Sequence, residues 1–205
     1  LEFGDFIRKF IDALAKKDEA FMKGAYADIL ASGIVPDDQK AGFFEMAFSM
    51  LENVKNLPLE GTECFDDFCI ATFKGEDDST LSFTFMKKGE SWVLFSERMN
   101  LKSFKKVYGI GYVVEGEERL GILFNGKKSP IVRDIGSSGM ISLINSALTP
   151  GENELTLIPP QGMTVKADIR ISSAAEGEAM NSAQGDVLIW QGEVKEPVKL
   201  KFRAE

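Results

Sequence analysis

Histidine is absent from this 205-residue chain, cysteine occurs twice and tyrosine three times. Without an imidazole there is no Ser-His-Asp or Cys-His site, no histidine zinc ligand and no histidine pH switch. No apolar run approaches the roughly 20 residues that a membrane-spanning helix needs. Positive charge is in the minority, with 24 Lys and Arg against 32 Asp and Glu, a formal net charge of −8. An acidic surface repels phosphate backbones, so nucleic-acid binding would need a strong basic patch. Lys102, Lys105 and Lys106 are the nearest approach to one and read as a solvated helix end or linker. Glycine-rich phosphate loops are missing too: Gly109-x-Gly111 lies in a strand pattern, and Gly136-Ser137-Ser138-Gly139 has no Lys-Ser/Thr after it. The acidic pairs Asp37-Asp38, Asp66-Asp67 and Asp77-Asp78 fall at a helix start and two turns, and supply too few oxygen ligands for calcium. No metal and no cofactor is therefore expected.

What is present is a globular composition, 44% hydrophobic and 27% charged. Phenylalanine is abundant and uneven: 14 of the 16 Phe lie at or before Phe104. Residues 1–105 hold 13 basic and 19 acidic groups, a net −6, whereas 106–205 hold 11 and 13, a net −2. Helical periodicity gives way to short strands at the same place. Two domains, 1–105 and 106–205, follow as the expectation.

In the first part, Phe3, Phe6, Ile7, Phe10, Ile11 and Leu14 recur at three- and four-residue spacing and form one apolar stripe. Asp18 caps a second helix carrying Phe21, Met22, Ala25, Tyr26, Ile29 and Leu30, which Ser32-Gly33 ends. Pro36 with Asp37 and Asp38 opens a third, presenting Phe43, Phe44, Ala47, Phe48, Leu51 and Val54 and stopping before Pro58. Three strands are then predicted: Phe68 to Phe73, a run in which Leu81, Phe83 and Phe85 alternate with polar residues, and Ser91 to Phe95. If Asp66 and Asp67 are the two loop residues of a hairpin, Cys64 stands opposite Cys69 in a non-hydrogen-bonded pair about 4.5 Å apart at Cα, within disulfide range. Two readings stay open there: a bridge, or two thiols on opposite faces of one strand.

Helices followed by a terminal antiparallel meander, whose last strand starts at a Gly-x-x-Trp turn (Gly89 to Trp92), resemble the nuclear transport factor 2-like superfamily over about residues 3–100. That resemblance implies a cone-like sheet with a pocket beneath the long helix. Tyr26, Phe44, Phe48, Phe83, Phe85, Trp92 and Arg98 are the candidates to line it. Epoxide-hydrolysing members combine two carboxylates with an arginine, so Arg98 with Asp66 or Asp67 is the one catalytic set the resemblance suggests. The alternative is that these aromatics fill the core, where each contributes roughly 1.5–3 kcal/mol when buried.

The second part reads as all β. Tyr108 to Val114, Leu120 to Phe124, Val165 to Ile171 and Val198 to Phe202 alternate, Val187 to Trp190 is a short apolar run, and Asn125-Gly126 is a strong hairpin signal. About seven or eight strands in this span indicate a two-sheet sandwich, immunoglobulin-like or jelly-roll. The segment from Leu148 to Leu157, with Pro150-Gly151-Glu152-Asn153, resembles the turn before a strand in immunoglobulin-like and galactose-binding-like sandwiches. There it marks the fold: Pro150 sets one dihedral, Gly151 permits a positive φ, and the Asn153 side chain bonds the turn backbone.

The fold class expected is thus three helices on an antiparallel meander followed by an all-β sandwich. The function expected is a non-enzymatic binding or interaction protein, outside the cytoplasm, periplasmic or lipid-anchored in a bacterial envelope, since a chain that starts at Leu1 suggests a removed leader. Its partner would be another envelope protein, a small apolar ligand, or a second copy in a homodimer. A carboxylate hydrolase in the first domain and glycan binding by the sandwich are the alternatives.

Overall fold

The computed structural model describes residues 1–178 and 185–205. Helices dominate the first part and antiparallel sheets the rest, and the chain packs as two compact units, Leu1–Met99 and Asn100–Glu205. No described helix is long and apolar enough to cross a membrane.

In the first unit, α1 (Phe3–Lys16) buries Phe3, Phe6, Ile7, Phe10 and Leu14 along one stripe. Lys17 ends it in the left-handed region at φ 55°, and Asp18 caps the next helix by accepting from the Phe21 N–H at 3.1 Å. The single helix predicted from Asp18 to Leu30 is two, α2 (Glu19–Ala25) and α3 (Ala27–Ala31), bent at Tyr26 (φ −98°, ψ 8°). The bend loses little hydrogen bonding: Tyr26 N–H still reaches Met22 O at 2.9 Å, and Leu30 N–H reaches Tyr26 O at 3.0 Å. The third predicted helix also starts later. Asp37–Gln39 form a 3₁₀ turn after Pro36, α4 spans Lys40–Met50, and another 3₁₀ turn (Val54–Asn56) leads to Pro58.

The sheet has four strands where the pattern predicts three: β1 (Leu59–Cys64), β2 (Phe68–Lys74), β3 (Thr80–Lys88) and β4 (Ser91–Leu94), in that order. The added strand, β1, has exposed side chains throughout and so carries no apolar alternation. Cys64 pairs with Cys69 across the β1–β2 hairpin and the two sulfurs are bonded. The sheet face bearing Cys69, Ala71, Phe73, Phe85 and Trp92 shares one apolar cluster with the helices.

The second unit consists of two four-stranded antiparallel sheets. One has β5 (Val107–Val114), β8 (Ser138–Leu143), β10 (Val165–Ala174) and β11 (Asp186–Val194) in the order β11-β10-β5-β8. The other has β6 (Leu120–Phe124), β7 (Asp134–Ile135), β9 (Gly151–Ile158) and β12 (Val198–Ala204) in the order β12-β9-β6-β7. Ile110, Ile169 and Ile171 from the first and Ile122, Leu155, Leu157 and Phe202 from the second belong to one buried cluster. Tyr112 faces Gly139 across β5 and β8, and a Cβ at Gly139 would run into the Tyr112 ring.

Two sequence motifs meet in this unit. Asn125 and Gly126, at φ 51° and 78°, form the loop of a hairpin closed between Phe124 and Lys127. Gly151 follows Pro150 at φ 103°. Asn153, 2% exposed, accepts from Thr149 N–H at 2.9 Å, donates to Thr149 O at 2.7 Å and Gly151 O at 3.1 Å, and accepts from the Asn125 amide at 2.8 Å. Asn125 in turn accepts from Glu154 N–H at 2.9 Å. The hairpin and the Pro-Gly turn are therefore one buried polar node.

Candidate functional site

The six aromatic candidates belong to one apolar cluster, in which Phe83 is partly buried and the other five are buried. Phe85 is fully buried, and the rings of Phe3, Phe6 and Phe10 stand 5.8, 5.2 and 5.2 Å from it. Phe83 is 6.2 Å from Phe10, and Trp92 is 4.9 Å from Phe3 in an edge-on contact. Tyr26 meets Phe43 at 5.4 Å and Phe44 at 6.3 Å, both edge-to-face, and Phe48 is buried in the same cluster. Such spacings are those of aromatic pairs in a filled core. The α1 stripe is what reaches across to Phe85; the bend at Tyr26 precedes the contact of its ring with α4.

Burial pushes the Tyr26 phenol up to about 12, because the phenolate would lose its hydration. Trp92 keeps its ring N–H bonded, donating to Leu1 O at 3.0 Å. Arg98 is exposed in the turn after β4, outside the aromatic cluster, where its backbone N–H donates to Ser96 Oγ at 3.3 Å. Asp66 and Asp67 occupy the β1–β2 turn.

The described residues include open depressions on each unit. One, about 670 Å³, is bordered by Asn53, Asn56, Lys74 and Leu81 at the end of the β2–β3 hairpin. Another, about 360 Å³, is bordered by Val113, Glu115, Lys166, Asp168 and Glu193 on the outer side of the β11-β10-β5-β8 sheet. None of the six aromatic candidates lines either one. No cluster of three or more His, Cys, Asp or Glu suited to a metal occurs among the described residues.

The most exposed apolar groups are elsewhere. On α4, Met46 is 54% and Met50 75% exposed, one helical turn apart, while Phe44 and Phe48 on the opposite side are buried. Glu45 and Glu52 flank them. Sequence reasoning took only the buried stripe of this helix. The available signal was that α4 carries polar side chains only at Lys40, Glu45 and Ser49, so it is apolar nearly all round, a pattern that a helix packed on one side does not need. In the second unit Val113 and Ile189 are 53% and 59% exposed.

No protein-family model, curated protein or solved structure matches this chain.

Proposed function

We propose that this protein is a non-enzymatic interaction module of an extracytoplasmic compartment, which docks a partner protein on the exposed side of α4. The observation that carries the reading is the pair Met46 and Met50, left in solvent side by side. Methionine is flexible and polarizable, and exposed apolar patches mark interaction sites. Two further features support it. The aromatic side chains that would line a ligand pocket share one apolar cluster, where the Phe3, Phe6 and Phe10 rings pack against Phe83, Phe85 and Trp92, which favours a filled core over a small-molecule site. The Cys64–Cys69 bond suits an oxidising compartment such as a periplasm. The likeness to the nuclear transport factor 2-like superfamily and to immunoglobulin-like sandwiches belongs to the same proposal; many members of the former bind or dimerise without catalysis.

Photo-crosslinking tests the docking face. A photoreactive residue at Met46 or Met50 in cells should capture a discrete envelope protein, and the paired substitution Met46→Glu with Met50→Glu should abolish its co-purification without changing the circular dichroism. Equal capture from positions on the buried side's flank and from α4, or retention of the partner by the double variant, would refute the reading.

A further inference from the structure

We infer that β11 is a self-pairing edge, through which two copies of this chain join their β11-β10-β5-β8 sheets antiparallel about a two-fold axis at Ile189. This surface is separate from the one proposed on α4 and does not depend on it.

Each sheet end exposes unpaired backbone groups that natural proteins usually blunt. Most edges here are blunted. β12 carries Lys199, Lys201 and Arg203, β7 is two residues long, β4 is four, and the pairing of β1 with β2 is interrupted by a register shift between Leu59 and Gly61. The pairing of β8 with β5 is interrupted by a register shift between Ile110 and Tyr112. β11 is different. From Leu188 to Val194 its register with β10 is regular, it contains no Lys, Arg or Pro, and its two carboxylates, Asp186 and Glu193, stand near its ends and leave Val187–Gly192 uncharged. Among the described residues, β10 is its only strand neighbour.

Hydrogen-bond phase shows which groups the edge offers. Glu115 N–H donates to Lys166 O on the β5 side of β10, and Ser173 N–H donates to Gly185 O on the other side. Even-numbered residues of β10 thus turn their backbone groups to β5 and odd-numbered ones to β11. The partners of Ile169 and Ala167 on β11 are Trp190 and Gly192. These hold the bonds to β10, which leaves the backbone groups of Ile189 and Gln191 pointing out of the sheet.

An antiparallel copy centred on Ile189 meets these groups in phase, so Ile189 exchanges both backbone bonds with its own counterpart. The side chains match as well. Ile189, 59% exposed, would face itself; Leu188 and Trp190, each half-buried at the rim of the core, would face each other. Asp186 would stand opposite Gly192, so no like charges are opposed. A two-fold arrangement uses this edge once per copy and closes at the dimer.

Sedimentation velocity on the purified chain, up to about 500 µM because interfaces this small are weak, should show a concentration-dependent dimer. Ile189→Lys, and separately Ile189→Pro, which takes away an outward N–H and no bond to β10, should return it to monomer with unchanged circular dichroism. Val113→Lys, an equally exposed apolar site on the central strand β5, should leave the dimer intact. A second readout does not rely on loss. Both native cysteines are bonded to each other, so Ile189→Cys adds the one free thiol and should oxidise to a covalent dimer. Gln191→Cys should cross-link at least about tenfold more slowly, since its counterpart lies about 14 Å away in this register. A wild-type monomer throughout, a dimer that survives Ile189→Lys, a ladder of higher oligomers, or equal cross-linking at both positions would overturn the proposal.

Discussion

Replacing Asn153 by alanine is the sharpest probe of how the second unit holds together. The side chain is 2% exposed and makes four hydrogen bonds, to Thr149 N–H, Thr149 O, Gly151 O and the Asn125 amide, at 2.7 to 3.1 Å. In Asn153→Ala the Thr149 N–H and the Asn125 amide lose their acceptor and two carbonyls lose a donor. A buried group left unsatisfied costs about 1–3 kcal/mol, and the exposed neighbour Thr149 lets water recover part of the loss. The expected destabilisation is about 3 kcal/mol. Trp92 and Trp190 lie one in each unit, so urea unfolding followed by fluorescence in a Trp92→Phe background reports the second unit alone. With an m-value of about 1.5 kcal/mol/M, the midpoint should fall by about 2 M.

A cycle with Asn125→Ala separates the node from its parts. That change alone carries the cost of placing alanine at φ 51°, about 1 kcal/mol, but the cost is common to both arms and cancels. The coupling between the two positions should be at least about 1 kcal/mol. A midpoint shift under about 0.5 M for Asn153→Ala, or additive effects in the double variant, would show that the hairpin and the Pro-Gly turn do not act as one unit.

Alkaline pH should destabilise the first unit through Tyr26. Its folded pKa of about 12 lies above the ordinary value of 10.0; the stabilisation is fully present below pH 10 and is lost as pH rises towards 12, about 3 kcal/mol in all. Tyr26→Phe should flatten stability across that window, and an unchanged pH profile in the variant would assign the alkaline transition elsewhere. Reducing Cys64–Cys69, which closes a loop with a sequence separation of 5, should cost about 2 kcal/mol by chain entropy; matched unfolding curves with and without dithiothreitol would refute this.

Local periodicity carried a good part of this fold. The α1 stripe, the Asp18 cap, and the alternation in β3, β10 and β12 follow from side-chain spacing, because each is decided within one element. What depends on a distant neighbour was harder to read. β1 exists by pairing with β2 and shows no alternation of its own. Asn125-Gly126 and Pro150-Gly151-Glu152-Asn153 are each recognisable turns, yet their fusion depends on β6 lying beside β9 with Phe124 opposite Leu155. The bend at Tyr26 has only a faint local signal, Gly24 in the last turn of α2, since a single glycine within an apolar periodicity does not by itself end a helix.

The candidate site divides along the same line. Tyr26, Phe44, Phe48, Phe83, Phe85 and Trp92 are inward-facing in a pocket and in a packed core alike, so no spacing rule separates the two. That choice was made by the α1 stripe, whose Phe3, Phe6 and Phe10 reach Phe85 from another element. Sheet edges behave in the same way, since β11 would show the same apolar run in the middle of a sheet as at its border. The lysines of β12 and their absence from β11 are a local trace, and they acquire meaning only when both strands are known to be last in their sheets. A surface whose function comes from being unpaired is therefore recorded in strand order, which is a property of the whole chain and not of the segment that carries it.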